Sequence, residues 1–376
     1  MKPYDYINCI LQTIINDCYS DEIEYYAFED NIRWNDSPTI FGPGAGLKPG
    51  RGGYGNIQRA KLMVEQIYYD YHNKSWRDSN DMSRIYPSVI DHSFEPINYN
   101  MDIKLWDREY KKYHPWPIDC LKIKDFPIIV LHSECNSKDV EKLNNLGYLD
   151  LHWFSHAFLC SEYYFKLYYT LEIVKNYKAR PINYAWICAN RLLRQHRTDF
   201  LEMLDLDRGC YSMLNPDPNG LIYNGPVPAR SFDDHTNSSA NICVTKLTPW
   251  NTSFLHVVNE TVWQDKIHFT EKVFKPIVLH QPFVVLQAPG SLAYLRSYGF
   301  ETFGDWWDES YDAIEDPVER MQAIADIVNS IGDKSLEELE TMRMEMAGVL
   351  EHNFRHFYEN IPAICLDELR EGIATL

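Results

Sequence analysis

Short β-rich runs alternate with amphipathic stretches along this chain, and that alternation restricts it to layered α/β architectures. Phe126–His132 (FPIIVLH), Ile182–Cys188 (INYAWIC), Phe254–Val258 (FLHVV) and Pro282–Leu286 (PFVVL) read as strands, because they are short, apolar and rich in β-branched or aromatic residues. Asp150–Phe154, with Ala157–Cys160 behind it, reads as another short strand and its exit. Helical spacing follows at Lys138–Asn145, Arg197–Leu206, Glu271–Leu279, Ser291–Ser297, Pro317–Ile331 and from Leu336 to about Tyr358. Nearer the start, Ser37–Phe41 predicts a strand, Gly42–Gly55 a glycine-rich loop, and Asn56 to about Tyr71 a helix. At about 100–200 residues per domain, 376 residues fit two α/β units joined near 176–181. The expected division is 1–176, 177–345, and a closing helix over 346–376 that crosses back to the first unit. Ligands of such sheets bind beyond the carboxyl ends of the strands, so residues just after strands carry most weight.

Composition removes several classes of function. An apolar share of 45% excludes a disordered chain. The 36 Lys and Arg against 54 Asp and Glu, a net charge of −18, argue against nonspecific binding to nucleic acid or anionic membrane. The nine cysteines show no Cys-x-x-Cys spacing and an odd count, which predicts reduced thiols rather than a disulfide frame or zinc site. The first residues do not read as a signal peptide, and no apolar run approaches the roughly 18 residues of a membrane span. The expectation is a soluble, cytoplasmic protein. The 26 Tyr and 10 Trp suit either a carbohydrate-lined cleft or simply a large core.

Three clusters carry candidate chemistry. The segment GPGAGLKPGRGGYG ends in Gly53, Tyr54 and Gly55 and offers Lys48 and Arg51 to a phosphate. It lacks the Gly-Lys-Ser/Thr of a Walker loop, and reads either as an acceptor-side lid or as a surface loop. The second cluster follows FLHVV. Asn259-Glu260-Thr261 ends a strand, and Thr270 is an acceptable N-cap for a helix opening Glu271-Lys272. Glu271 suits the positive end of that helix, whereas Lys272 and Lys275 suit it only if an anion binds there. A diphosphate would meet that need, with Glu271 accepting ribose hydroxyls; an amphipathic helix with solvated lysines is the simpler alternative. The third cluster, NRLLRQHRTDFLEML, sets Arg191, Arg194, His196 and Arg197 after a strand end, either as a phosphate fork or as surface partners of Asp199 and Glu202. In the first unit Glu134 follows a strand and is a candidate general base, in competition with His132, Asp91 and Glu95. The D-x-D triplet Asp205-Leu206-Asp207 lies at a helix end and reads as a turn, and no cluster has metal-ligand spacing.

Taken in order, VVNET, HFTEK, QPFVVLQAPGS and CANRLLRQHRTDFLEML resemble a glycosyltransferase of the two-Rossmann-domain (GT-B) type, most closely the α1,3-fucosyltransferase family. The stretch from TEKVFKPI to GFETFGDWWDESYD also looks like phage, large-virus and bacterial proteins related to glycosyltransferases. The resemblance implies two Rossmann-like domains facing across a cleft and a nucleoside-diphosphate sugar (GDP- or UDP-linked) as donor. It puts the phosphate-binding residues at Arg197 and Lys272, the ribose-binding carboxylate at Glu271 and the general base at Glu134. Arg194, Asn259, Thr270 and Lys275 lie beside them as further donor-side residues. The acceptor is then a hydroxyl of a glycan or other molecule, and no divalent metal or other cofactor is expected to be essential. Asn259 and Glu260 stand exchanged relative to the family's Phe-Glu-Asn-Thr segment, so fucose is not implied. Other readings are a nucleotide- or glycan-binding protein without catalysis, and a glycosyltransferase acting on modified DNA bases.

Overall fold

A computed structural model describes residues 24–27, 88–92, 104–107, 112–115, 128–145, 147, 149–165, 177–217, 220–231 and 248–375. The expected strand at 37–41, the glycine-rich loop and the helix at 56–71 lie outside the described residues. So do Lys48, Arg51, Gly53, Tyr54, Gly55 and Glu95. The chain divides into two compact units, one running to Ser155 and including Cys365–Leu376, the other His156–Ile364.

The first unit holds β1 (Glu24–Ala27), β2 (Ser88–His92), β3 (Lys104–Asp107), β4 (Lys112–Pro115), β5 (Ile128–His132), helix α1 (Lys138–Asn145) and β6 (Leu149–His152). β1-β2-β5-β6 form a parallel sheet in that order, while β3 and β4 pair antiparallel. Asp91 falls on β2. Ser137 caps α1, accepting the Val140 N–H at 3.3 Å, and the helix buries Val140 and Leu143. The end of the C-terminal helix completes this unit. Glu368 takes the Phe154 N–H at 2.9 Å and meets His152 Nδ1 at 3.0 Å. Gly372 lies so close to Leu151 that a Cβ there would come within 3.0–3.2 Å of its side chain.

In the second unit, α2 (Ser155–Leu159) begins at the division and continues as a π-helical turn over Cys160–Tyr164. There follow β7 (Tyr184–Ala189), α3 (Gln195–Glu202), β8 (Gly209–Ser212), α4 (Thr248–Asn251), β9 (Ser253–Asn259), α5 (Glu271–Val278), β10 (Phe283–Leu286) and α6 (Ser291–Ser297). Helices α7 (Pro317–Gly332), α8 (Leu336–Glu345), α9 (Ala347–Glu359) and α10 (Ile361–Thr375) close the chain. The sheet order is β10-β9-β7-β8, all parallel. Every residue of β9 is buried, which is why its sequence is a near-continuous apolar run instead of an alternating one. Trp186 on β7 is fully buried, and Gly209 on β8 faces it so closely that a Cβ would stand 2.1 Å from the indole. No other residue fits at that crossing.

Two helices start on strong local signals. Asp316 accepts the Val318 and Glu319 N–H groups ahead of α7, and Ser335 with Glu338 forms a capping box on α8. The single helix expected from Leu336 to Tyr358 is two, divided at Met346, whose side chain is completely buried at the break. The parallel α/β sheets are compatible with Rossmann-like folding. No described helix is long and apolar enough to cross a membrane.

Candidate functional site

The strand order of the second unit creates one special place. From β7 the chain crosses through α3 to β8 on one side, and from β9 it crosses through α5 to β10 on the other. The two connections diverge, leaving a crevice beyond the carboxyl ends of β7 and β9, where open α/β sheets take their ligands. Asn190, Arg197, Asn259, Glu260, Thr270, Glu271 and Lys272 all belong to segments leaving these two strand ends.

Glu260 organises the crevice. Its carboxylate is inaccessible to solvent and accepts the Thr270 N–H at 3.0 Å, the Thr270 hydroxyl at 2.8 Å and the Thr261 N–H at 3.2 Å. Lys272 Nζ approaches the same carboxylate at 3.3 Å, and also reaches Thr261 Oγ1 at 3.2 Å and Thr270 Oγ1 at 2.7 Å. The three ammonium protons therefore have partners within the chain. The start of α5, where the sequence leaves room for a phosphate, carries an internal carboxylate that offsets the Lys272 charge. Glu260→Ala leaves the partly exposed ammonium and the buried Thr270 donors without their acceptor, at a cost of about 1–3 kcal/mol. The expected outcome is a clear drop in the urea midpoint of the second unit; an unchanged midpoint contradicts this role for Glu260.

Glu271 points differently. Its side chain is 23% exposed, with Lys272 Nζ 3.8 Å from Oε1. Burial alone pushes its carboxyl up, but Lys272, Lys275 and His156 outweigh that and hold it down to about 2. Glu271 is thus an ionised, partly accessible acceptor at the mouth of the crevice. His156, from α2, is buried and stays neutral, held down to about 4 by desolvation and by Lys272 against the opposing pull of Glu271.

Arg197 is 5% exposed and ties the site together from α3. Its guanidinium donates to the backbone oxygens of Leu192 at 3.3 Å, Asn259 at 3.4 Å and Glu260 at 3.2 Å, while its Nε has no hydrogen-bond partner. Burial, with Arg194 adding to it, lowers its pKa to about 10, so it remains a cation at neutral pH. Arg194, at the N-cap of α3, and Arg191 are exposed. His196 touches the Glu260 carbonyl at 3.2 Å and stacks on Trp263, whose other neighbour is the buried Arg320 guanidinium, 4.4 Å from the ring. Lys275 lies elsewhere on α5, with its ammonium 5.2 Å over the Trp250 ring. Asp205 and Asp207 form a turn at the end of α3, the Asp207 N–H donating to Asp205 Oδ1 at 3.1 Å.

In the first unit Glu134 stands two residues beyond β5 and is 2% exposed. The Ser137 hydroxyl donates to its Oε2 at 2.5 Å, and its own N–H donates to His132 Nδ1 at 3.1 Å. His132 Nε2 meets Asp150 Oδ2 at 3.2 Å, and this bond holds the Asp150 carboxyl below the usual range despite partial burial. Both His132 nitrogens are thus engaged, one by the Glu134 N–H and the other by Asp150.

The structure thus gathers Arg197, Asn259, Thr270, Glu271 and Lys272 around Glu260, with Arg194 exposed at the start of α3, and sets Lys275 on Trp250. Sequence reasoning missed Glu260, His156 and Arg320 as organising residues. For Glu260 a signal existed: an acid directly after an all-apolar strand, ten residues ahead of a threonine that caps a helix. Among the described residues no group of three or more His, Cys, Asp or Glu is placed to hold a metal ion. No family model matches the chain, and no curated protein matches it.

Proposed function

We propose that the chain is a glycosyltransferase that moves a sugar from a nucleoside-diphosphate donor to a hydroxyl acceptor. Its second unit would hold the donor, its first would supply the base, and the two would face each other as Rossmann-like domains across a cleft. The observation that carries the reading is the convergence of Arg197, Asn259, Glu271 and Lys272 at the point where the crossovers of the second sheet diverge. Glu271, ionised and accessible, suits the vicinal hydroxyls of a ribose. Arg194 and Arg191 offer exposed guanidinium groups to the diphosphate, with Arg197 and Lys272 providing positive potential from behind. Thr270 caps the helix start, the buried Asn259 amide has no hydrogen-bond partner among the described residues, and Lys275 adds charge from deeper in α5.

In the reaction, the acceptor hydroxyl passes its proton to the Glu134 carboxylate as its oxygen bonds to the anomeric carbon. The bond from that carbon to the diphosphate breaks, and its electron pair leaves on the terminal phosphate oxygen as the nucleoside diphosphate. Cationic side chains stabilise that developing charge, and stabilisation of this kind supplies most of the rate enhancement in many enzymes. No metal is assigned a step.

The reading is tested by thermal melting with GDP, UDP, ADP, TDP or CMP, each with Mn²⁺ and with EDTA. One diphosphate is expected to stabilise the chain in both conditions, by about 2.7 kcal/mol at 100 times its Kd. Arg194→Ala should weaken that response, measured as the shift relative to the same variant without nucleotide. No shift with any of the five nucleotides overturns the donor site. A shift without sugar transfer to any acceptor supports a binding protein that lacks turnover.

A further inference from the structure

Glu134 is held at two points, one on its carboxylate and one on its main chain. Its Oε2 receives the hydroxyl proton of Ser137, and that same hydroxyl oxygen accepts the Val140 N–H as the cap of α1. The hydroxyl cannot rotate away without losing the cap, so one carboxylate oxygen is pinned to the start of a helix. The second point is the main chain. The Glu134 N–H needs a lone pair on His132 Nδ1, so the single proton of a neutral His132 sits on Nε2, facing Asp150. Asp150 is fixed in turn by the Asn144 amide at 2.7 Å. His152 lies edge-on to His132, 5.6 Å between ring centres, and is itself held by Glu368. Among the described side chains, Asp150 and His152 from β6 face His132 together with the Glu134 main chain, and its tautomer is set by Asp150 and that main chain.

We propose that Ser137 and His132 are positioning residues for Glu134, the first orienting its carboxylate and the second the backbone that carries it. Asp150 acts behind His132 as the group that keeps the proton on Nε2. The inference rests on the reading of Glu134 as general base. A base performs only when its oxygen stands within hydrogen-bond reach of the proton it takes, so loosening either anchor lowers the rate of the chemical step and spares donor binding.

The test measures nucleoside diphosphate released from GDP- and UDP-sugars by the full-length protein, with water or an added acceptor. Ser137→Ala is expected to lower kcat about tenfold or more with donor KM unchanged, as for loss of a charge-assisted hydrogen bond. Ser137→Thr, which keeps the hydroxyl and the cap, is expected to restore most of the rate. His132→Phe should lower kcat likewise, and His132→Asn, whose amide oxygen can accept the Glu134 N–H, should retain more. Melting temperatures of all four variants separate loss of folding from loss of rate. If Ser137→Ala turns over normally, or if Ser137→Thr is as slow as Ser137→Ala, the positioning role is overturned while the base assignment stands. If Glu134→Gln itself turns over normally, or the unmodified protein releases diphosphate from no sugar, the underlying reading fails instead.

Discussion

Glu134→Gln is expected to reduce sugar transfer by about 10²–10⁴-fold while leaving nucleoside-diphosphate affinity unchanged. The replacement is nearly isosteric, and the amide oxygen can still accept the Ser137 hydroxyl that donates to Glu134 Oε2. The local fold is thus retained. What disappears is the ability to accept a proton from the attacking hydroxyl. Arg197, Glu271 and Lys272, the groups proposed to hold the donor, belong to the other compact unit, so the proposal separates nucleotide binding from this carboxylate. Kinetics of transfer beside calorimetric binding of the diphosphate check both halves. Undiminished turnover removes Glu134 from the mechanism, and lost binding with intact folding contradicts the separation of roles.

The second unit is expected to lose stability steeply as the pH falls from about 6.5 toward 4. Four of its histidines are held neutral: His156 and His196 at about 4, His256 and His280 at about 3, desolvation being the leading cause in each. His280 is stacked between Tyr177 and Phe354, and His256 lies beside Trp250 with the Lys275 charge nearby. The sign follows from linkage. Below pH 6.5 the unfolded chain binds protons on these groups and the folded chain does not, so acid favours unfolding. Stability is complete above the unfolded value and is lost as pH falls toward the folded values. Each histidine contributes up to about 1.4 kcal/mol per pH unit in that window. The depressed carboxyl of Glu271, at about 2, acts only under stronger acid. Urea unfolding at pH 7, 6, 5 and 4 measures the slope, and His280→Phe should flatten it by roughly one proton. A stability constant down to pH 4 contradicts buried neutral histidines.

The parts of this architecture legible in the sequence are those set by continuous local pattern. Lys138–Asn145 and Ser291–Ser297 match their helices at both ends, because the start signal and a run of helical spacing are adjacent in the chain. β9 and β10 are readable as buried strands because both faces are covered and their runs are mainly apolar, with His256 the one polar residue inside β9. β8 is not. It spans only Gly209–Ser212, and its glycine, poor in strand propensity, is required by the Trp186 ring across the sheet. Arg320 reads as one more charge on an amphipathic helix, yet it is 1% exposed and donates to the carbonyls of Gln287, Ile314, Glu315 and Trp263. Burial of a guanidinium depends on acceptors from segments distant in sequence, and composition carries no record of them. The same holds for the site. The position of Glu271 at a helix start is visible locally, whereas the engagement of Lys272 by Glu260 emerges only when strand end and helix start meet.

The central claim is that Glu271 grips the ribose of a nucleoside diphosphate in the crevice between the ends of β7 and β9. Calorimetric titration of the binding diphosphate and its 2′,3′-dideoxy analogue into the unmodified protein and Glu271→Gln tests this as a double-mutant cycle. The account predicts that removing the hydroxyls weakens binding to the unmodified protein by about 1.5–3 kcal/mol and costs Glu271→Gln far less. Equal losses in both proteins, with no coupling between carboxylate and hydroxyls, contradict it.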